Sequence, residues 1–165
     1  MADRDAETLL RIARAILAPA TWCFAITLGE DGDVHARLIQ PGALTEDWST
    51  RFLTDARSRK VAEMERTGRL TLAWQNDADR AYVALIGRPE IIRDAEAKRA
   101  IWHAGMARFH PGGPEDPNNV LVRFVAERIE MYSGAHGIAP PPEGFSAAVL
   151  TRTTSGWKVG ATFAK

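Results

Sequence analysis

Between Thr54 and Lys60 the chain places two hydroxyls, Thr54 and Ser58, and two cations, Arg59 and Lys60, where the apolar pair Phe52-Leu53 gives way to a polar turn and then to a helical pattern. Such a junction suits an anion. A serine at the N-cap leaves first-turn amides facing outward at the positive end of the helix dipole, and hydroxyl and ammonium donors beside them complete a phosphate-sized cradle. The other reading of these residues is an ordinary capped surface helix with solvated basic side chains, and the residues alone leave both open. A second candidate is Arg37, in His35-Ala36-Arg37-Leu38-Ile39-Gln40. It is either a ligand-directed guanidinium or a strand arginine paired with a surface carboxylate.

Other chemistries find no constellation. His35, His103, His110 and His136 lack the spacing to cysteine or acidic residues that specifies a metal site, so they read as surface or loop histidines and no metal is expected. The single cysteine, Cys23, lies among apolar neighbours and reads as a buried, inert thiol. No phosphate-loop, dinucleotide or nucleophile-elbow motif is present. The five tryptophans and six phenylalanines fall mostly on apolar faces and read as core rather than as a base-stacking surface.

Two of these segments, with two further downstream, resemble the pyridoxamine 5′-phosphate oxidase-like flavoproteins. Phe52-Leu53-Thr54, followed after three residues by Ser58-Arg59-Lys60, is similar to the segment with which that family binds the phosphate of FMN. The stretch from Arg37 through Leu38 and Ile39 to Gln40 is similar to the strand that lies along the flavin. Glu130-Met131-Tyr132-Ser133-Gly134 resembles a Glu-aromatic-Trp-x-Gly segment, with Tyr132 at the tryptophan position. Phe109-His110-Pro111-Gly112-Gly113 with Asp116-Pro117 resembles a loop of the general stress protein branch.

The resemblance spans about residues 5 to 134. It implies FMN as cofactor, with Thr54, Ser58, Arg59 and Lys60 on the phosphate and Arg37, Leu38 and Ile39 beside the isoalloxazine. Tyr82 stands where the family's oxidases carry a glutamine to the flavin; Tyr82 and Tyr132 read equally as core aromatics. The implied architecture is an α+β antiparallel six-stranded split β-barrel with flanking helices, a homodimer with flavin at the subunit interface. The implied activity is flavin-dependent electron transfer to a small substrate, with a nicotinamide as candidate donor. A non-enzymatic protein that buffers or senses flavin is the alternative, and the same barrel can hold a deazaflavin or haem. After Gly134 the chain has Ala135-His136-Gly137-Ile138 and then three prolines instead of the basic segment that clamps a vitamin B6 substrate, so oxidation of pyridoxamine phosphate is not expected.

The elements that must position these residues follow from pattern. Asp5 to Leu17 has helical apolar spacing and ends before Pro19. Thr21 to Leu28 and Val34 to Gln40 flank Asp31-Gly32 as a β-hairpin. Arg51 to Thr54 predicts a strand entering a helix over Ser58 to Arg66, which Gly68 stops. Strands follow at Arg69 to Gln75, at Ala81 to Arg93 with a bulge or edge at Gly87 and Pro89, and at Val120 to Tyr132. Ala95 to Ala104 predicts a helix with Ile101 and Trp102 on its inner face, and Gly105 to Asn119 a long loop. Beyond a polyproline-like stretch at Ala139 to Gly144, Phe145 to Thr151 and Trp157 to Val159 are compatible with a last hairpin.

At 165 residues the chain is read as one domain, with residues 135 to 165 as its C-terminal extension. Lys and Arg number 21, as do Asp and Glu, so no overall basic field invites nucleic acid or an anionic membrane. The polar N-terminus and the lack of a long apolar run predict a cytoplasmic protein without a membrane span.

Overall fold

The structure, a computed structural model, describes residues 4–138 and 147–160; the proline stretch expected at Ala139 to Gly144 lies outside them. Helix α1 (Ala6–Leu17) starts where Asp5 accepts a hydrogen bond from the Thr8 amide at 2.8 Å, and it buries Leu9, Ile12, Ala13 and Ile16. Strands β1 (Cys23–Leu28) and β2 (Val34–Ile39) form the expected hairpin. Gly32, at φ 85°, supplies the left-handed residue its turn requires. Strand β3 (Ser49–Asp55) leads into helix α2 (Arg59–Thr67), which ends on Gly68 in the left-handed conformation with its amide bonded to Met64 O at 2.8 Å.

Strands β4 (Leu70–Asn76), β5 (Ala81–Ile92) and β6 (Asn119–Ser133) form the antiparallel centre. The register slips between Ile86 and Gly87, the expected bulge. The close approach there requires glycine, because a Cβ on Gly87 would lie 2.0 Å from Val125 O. Helix α3 (Ala95–Ile101) is shorter than expected: Trp102 is already extended, and a 3₁₀ turn, η1 (Ala104–Arg108), opens the long loop. Lys98 is buried on α3, and its Nζ donates to Asp116 O and Asn119 O at 3.0 and 3.1 Å, latching that loop to the helix.

The described residues hold eight strands rather than six. The additional pair is the last hairpin, β7 (Ala148–Thr153) and β8 (Gly156–Val159), which joins the sheet instead of trailing from it. Along one edge of β6, β3 pairs with Asn119 to Val125 and β7 with Arg128 to Met131, while β5 takes the other edge. The sheet runs β2-β1-β4-β5-β6-β7-β8. Pairing with β6 buries Val149 and Leu150, and Trp157 meets Trp48 edge-on at 6.1 Å, which gives the short hairpin its hold.

The core lies between α1, α2 and the inner face of the sheet and includes Ile16, Met64, Leu72, Leu85, Phe124 and Ile129. Cys23 is buried in it, and burial pushes its thiol up to about 12, as an inert cysteine requires. The aromatic residues are less uniformly internal than expected. Trp22, Phe24 and Phe109 are exposed, because Trp22 and Phe24 fall on the outer face and Phe109 on the loop.

Candidate functional site

The anion junction forms at the end of β3. Thr54 is buried on the strand, and Asp55 holds Arg57 through an Oδ2–NH2 contact of 2.7 Å. The Arg57 hydrogen bonds keep the Asp55 carboxyl down at about 2 and turn that guanidinium back on the strand end. The turn is moored by the Ala56 amide, which donates to Asn118 O at 2.7 Å. Leu53, beside Thr54, is half-buried.

Ser58 occupies the N-cap position of α2 with extended backbone, yet its side chain does not make the expected cap bond. Its Oγ is buried and has no hydrogen-bond partner among the described residues. A buried hydroxyl without a partner is costly, and at a helix N-terminus its natural complement is an anion. The Lys60 side chain is half-buried and makes no hydrogen bond or salt bridge among the described residues; Asp55 attracts it only at a distance. Burial, then the like charge of Arg37, lowers its pKa. An anion between these cations would relieve both effects.

Arg37 and Arg59 both meet Glu63, a residue that the sequence did not single out. Glu63 lies on α2 with only 5% of its side chain exposed. Its Oε2 accepts from Thr27 Oγ1 at 2.5 Å and from Arg37 NH2 at 3.1 Å. Its Oε1 accepts from His35 Nδ1 at 2.7 Å and lies 3.5 Å from Arg59 Nε. Burial alone would raise its pKa, but the hydrogen bonds from Thr27, His35 and Arg37 and the charge of Arg37 outweigh it and hold the carboxyl at about 2. His35 is thus not a surface histidine: it faces a buried carboxylate, to which Nδ1–H donates. The signal in the sequence was an acidic residue between Val61 and Met64, both buried, four residues after Arg59.

The remaining candidates separate by sheet face. Directly opposed residues share a face, so Arg37 aligns with buried Ala25, Leu72 and Leu85 on the inner side. Tyr82, one residue from buried Val83, points the other way, and Tyr132 stands directly opposite it on β6. The two tyrosines border a hollow of about 360 Å³ with Gln75, Asn76, Asp77 and Arg80. Burial, then the charge of Glu130, raises the Tyr82 pKa. One chain therefore gathers Arg37, Arg59 and Lys60 around α2 and holds Tyr82 and Tyr132 on the opposite face. Leu38 and Gln40 are exposed on that outer side, and Ile39 is half-buried.

The outer face of the β1–β2 hairpin is apolar and open to solvent. Phe24, 46% exposed, opposes Leu38, 58% exposed, and Leu28 opposes Val34. A larger hollow of about 420 Å³, bordered by Arg14, Leu17, Pro41, Leu44 and Trp74, contains none of the candidate residues.

A family model described as pyridoxamine 5′-phosphate oxidase like matches residues 11–152. No curated protein matches the sequence. Among solved structures, the chain is similar to a Clostridium acetobutylicum protein related to general stress protein 26, at 23% identity and a TM-score of 0.68 over 78% of this chain and 91% of that one. It is similar to a pyridoxamine 5′-phosphate oxidase-related, FMN-binding protein of Nostoc punctiforme, at 17% identity and a TM-score of 0.64 over 93% and 94% of the two chains. It is also similar to PhzG of Burkholderia lata in complex with tetrahydrophenazine-1-carboxylic acid, at 16% identity and a TM-score of 0.67 over 93% and 90%. These likenesses are of fold, an α+β split β-barrel with flanking helices.

Proposed function

Since the chain belongs to the pyridoxamine 5′-phosphate oxidase-like family, we propose that it is an FMN-binding protein of the general stress protein type, acting as a flavin-dependent oxidoreductase on a small substrate. The observation that carries this reading is the pair Ser58 and Lys60: a buried hydroxyl without a partner beside a half-buried ammonium without a salt bridge, at a helix N-terminus. These groups fit a phosphate. Thr54, Ser58, Lys60 and the first amides of α2 would hold it, with Arg59 at the rim. Arg37, Leu38 and Ile39 would run beside the ring system, with Leu53 and Gln40 flanking. Bound FMN supplies the redox chemistry; the chain supplies orientation and a cation that favours the charge of the reduced ring.

Tyr82 and Tyr132 cannot join that corner within one chain, since they lie on the other face of the sheet. They enter the reading through a homodimer, in which the apolar hairpin face around Phe24 and Leu38 is covered by a second copy. The test is a fluorescence titration of cofactor-stripped protein with FMN. Saturable quenching of one flavin per chain is expected, and no quenching would overturn the reading.

A further inference from the structure

Glu63 places a buried carboxylate beside the proposed anion corner. A carboxylate next to an anion site opposes the ligand, and burying one needs strong compensation. Here it is compensated by donors from three elements: Thr27 on β1, His35 and Arg37 on β2, and Arg59 one turn earlier on α2. The guanidinium of Arg37 is fixed by three acceptors, with NH1 donating to Thr27 Oγ1 at 2.5 Å and His35 O at 3.3 Å, and NH2 to Glu63 Oε2 at 3.1 Å. Guanidinium has five N–H donors, so two are left for a ligand, in a fixed plane. Lys60, which feels the like charge of Arg37, has no such anchor among the described residues.

Resting on the flavin reading above, we propose that Glu63 is a positioning residue. Its buried carboxylate, with Thr27, clamps Arg37 in the orientation that meets the cofactor and offsets its charge, so that Lys60 is the cation committed to the phosphate. The basic residues of the corner then have separate roles. Arg37 is oriented, Arg59 is drawn toward Glu63 at the rim, and Lys60 and Ser58 are left for the anion.

A double-mutant cycle on FMN affinity tests this, with wild type, Glu63→Gln, Arg37→Ala and the double variant. Glu63→Gln keeps the shape but removes the charge that holds Arg37. It is expected to weaken FMN binding at least tenfold in the wild-type background and less than twofold once Arg37 is alanine. The midpoint potential of bound FMN should move with Glu63→Gln only while Arg37 is present, and Glu63→Asp should restore part of the affinity. Equal losses in both backgrounds, or no loss in either, would overturn the proposal and assign Glu63 to tying α2 to the hairpin. Should Glu63→Gln fail to fold, the cycle is run with Thr27→Val, which removes the hydroxyl between Arg37 and Glu63 and keeps the carboxylate. Wild-type protein that binds no flavin would instead overturn the flavin reading itself, and this proposal with it.

Discussion

Near the β3–α2 junction, Ser58 has a buried hydroxyl and Lys60 a half-buried ammonium that bond to nothing among the described residues. Asp55 has Arg57, and Glu63 has four donors. A charge-assisted hydrogen bond contributes about 1.5–3 kcal/mol, so Lys60→Ala should weaken FMN by roughly ten- to a hundredfold in a fluorescence titration. Arg59→Ala should cost less, since that side chain is 67% exposed and already faces Glu63. Glu63 also sets a pH dependence. Its folded-state pKa of about 2 lies below the ordinary 4.5, so the unfolded chain takes up the proton first as the pH falls. The stabilisation is complete above pH 4.5 and is lost as the pH drops through about 2. Acid unfolding followed by circular dichroism should therefore be steeper between these values for wild type than for Glu63→Gln.

The elements that hold the site were largely written in local pattern. Asp5 before an amphipathic run, Asp31-Gly32 between alternating stretches and Gly68 after α2 each act within a few residues, so a sequence carries them openly. The bulge at Gly87 was legible for the same reason, although the Val125 carbonyl that excludes a side chain there is distant in sequence. Gly87→Ala should cost about 1–3 kcal/mol in urea unfolding, as the strand shifts to admit the methyl group. The clamp at Glu63 was not legible, because Thr27, His35 and Arg37 reach it only once the hairpin packs on α2. Nor was the sheet's eight-strand extent. The last hairpin was compatible with local pattern, but its place in the sheet depends on the edge that β6 offers Leu150 and the surface that Trp48 offers Trp157.

At the scale of the molecule, the face bearing Phe24, Leu28, Val34 and Leu38 is the feature that one chain leaves unfinished. Its residues alternate with Cys23, Ala25 and Thr27, which are buried on the inner side, so the strands have a core on one face and an apolar surface on the other. Leu38→Asp should shift the sedimentation coefficient from dimer to monomer and, if Tyr82 and Tyr132 of a second copy meet the flavin, lower FMN affinity with it. No helix of the described residues is long and apolar enough to cross a membrane. Whether the β3–α2 corner binds the phosphate of a flavin is read from the ratio of FMN to riboflavin affinity, measured side by side on wild type and Lys60→Ala. Wild type should prefer FMN strongly, and the preference should shrink about ten- to a hundredfold in the variant while riboflavin affinity holds. Equal affinities for the two flavins in wild type, or a preference that survives the loss of Lys60, would rule out a phosphate site at this corner.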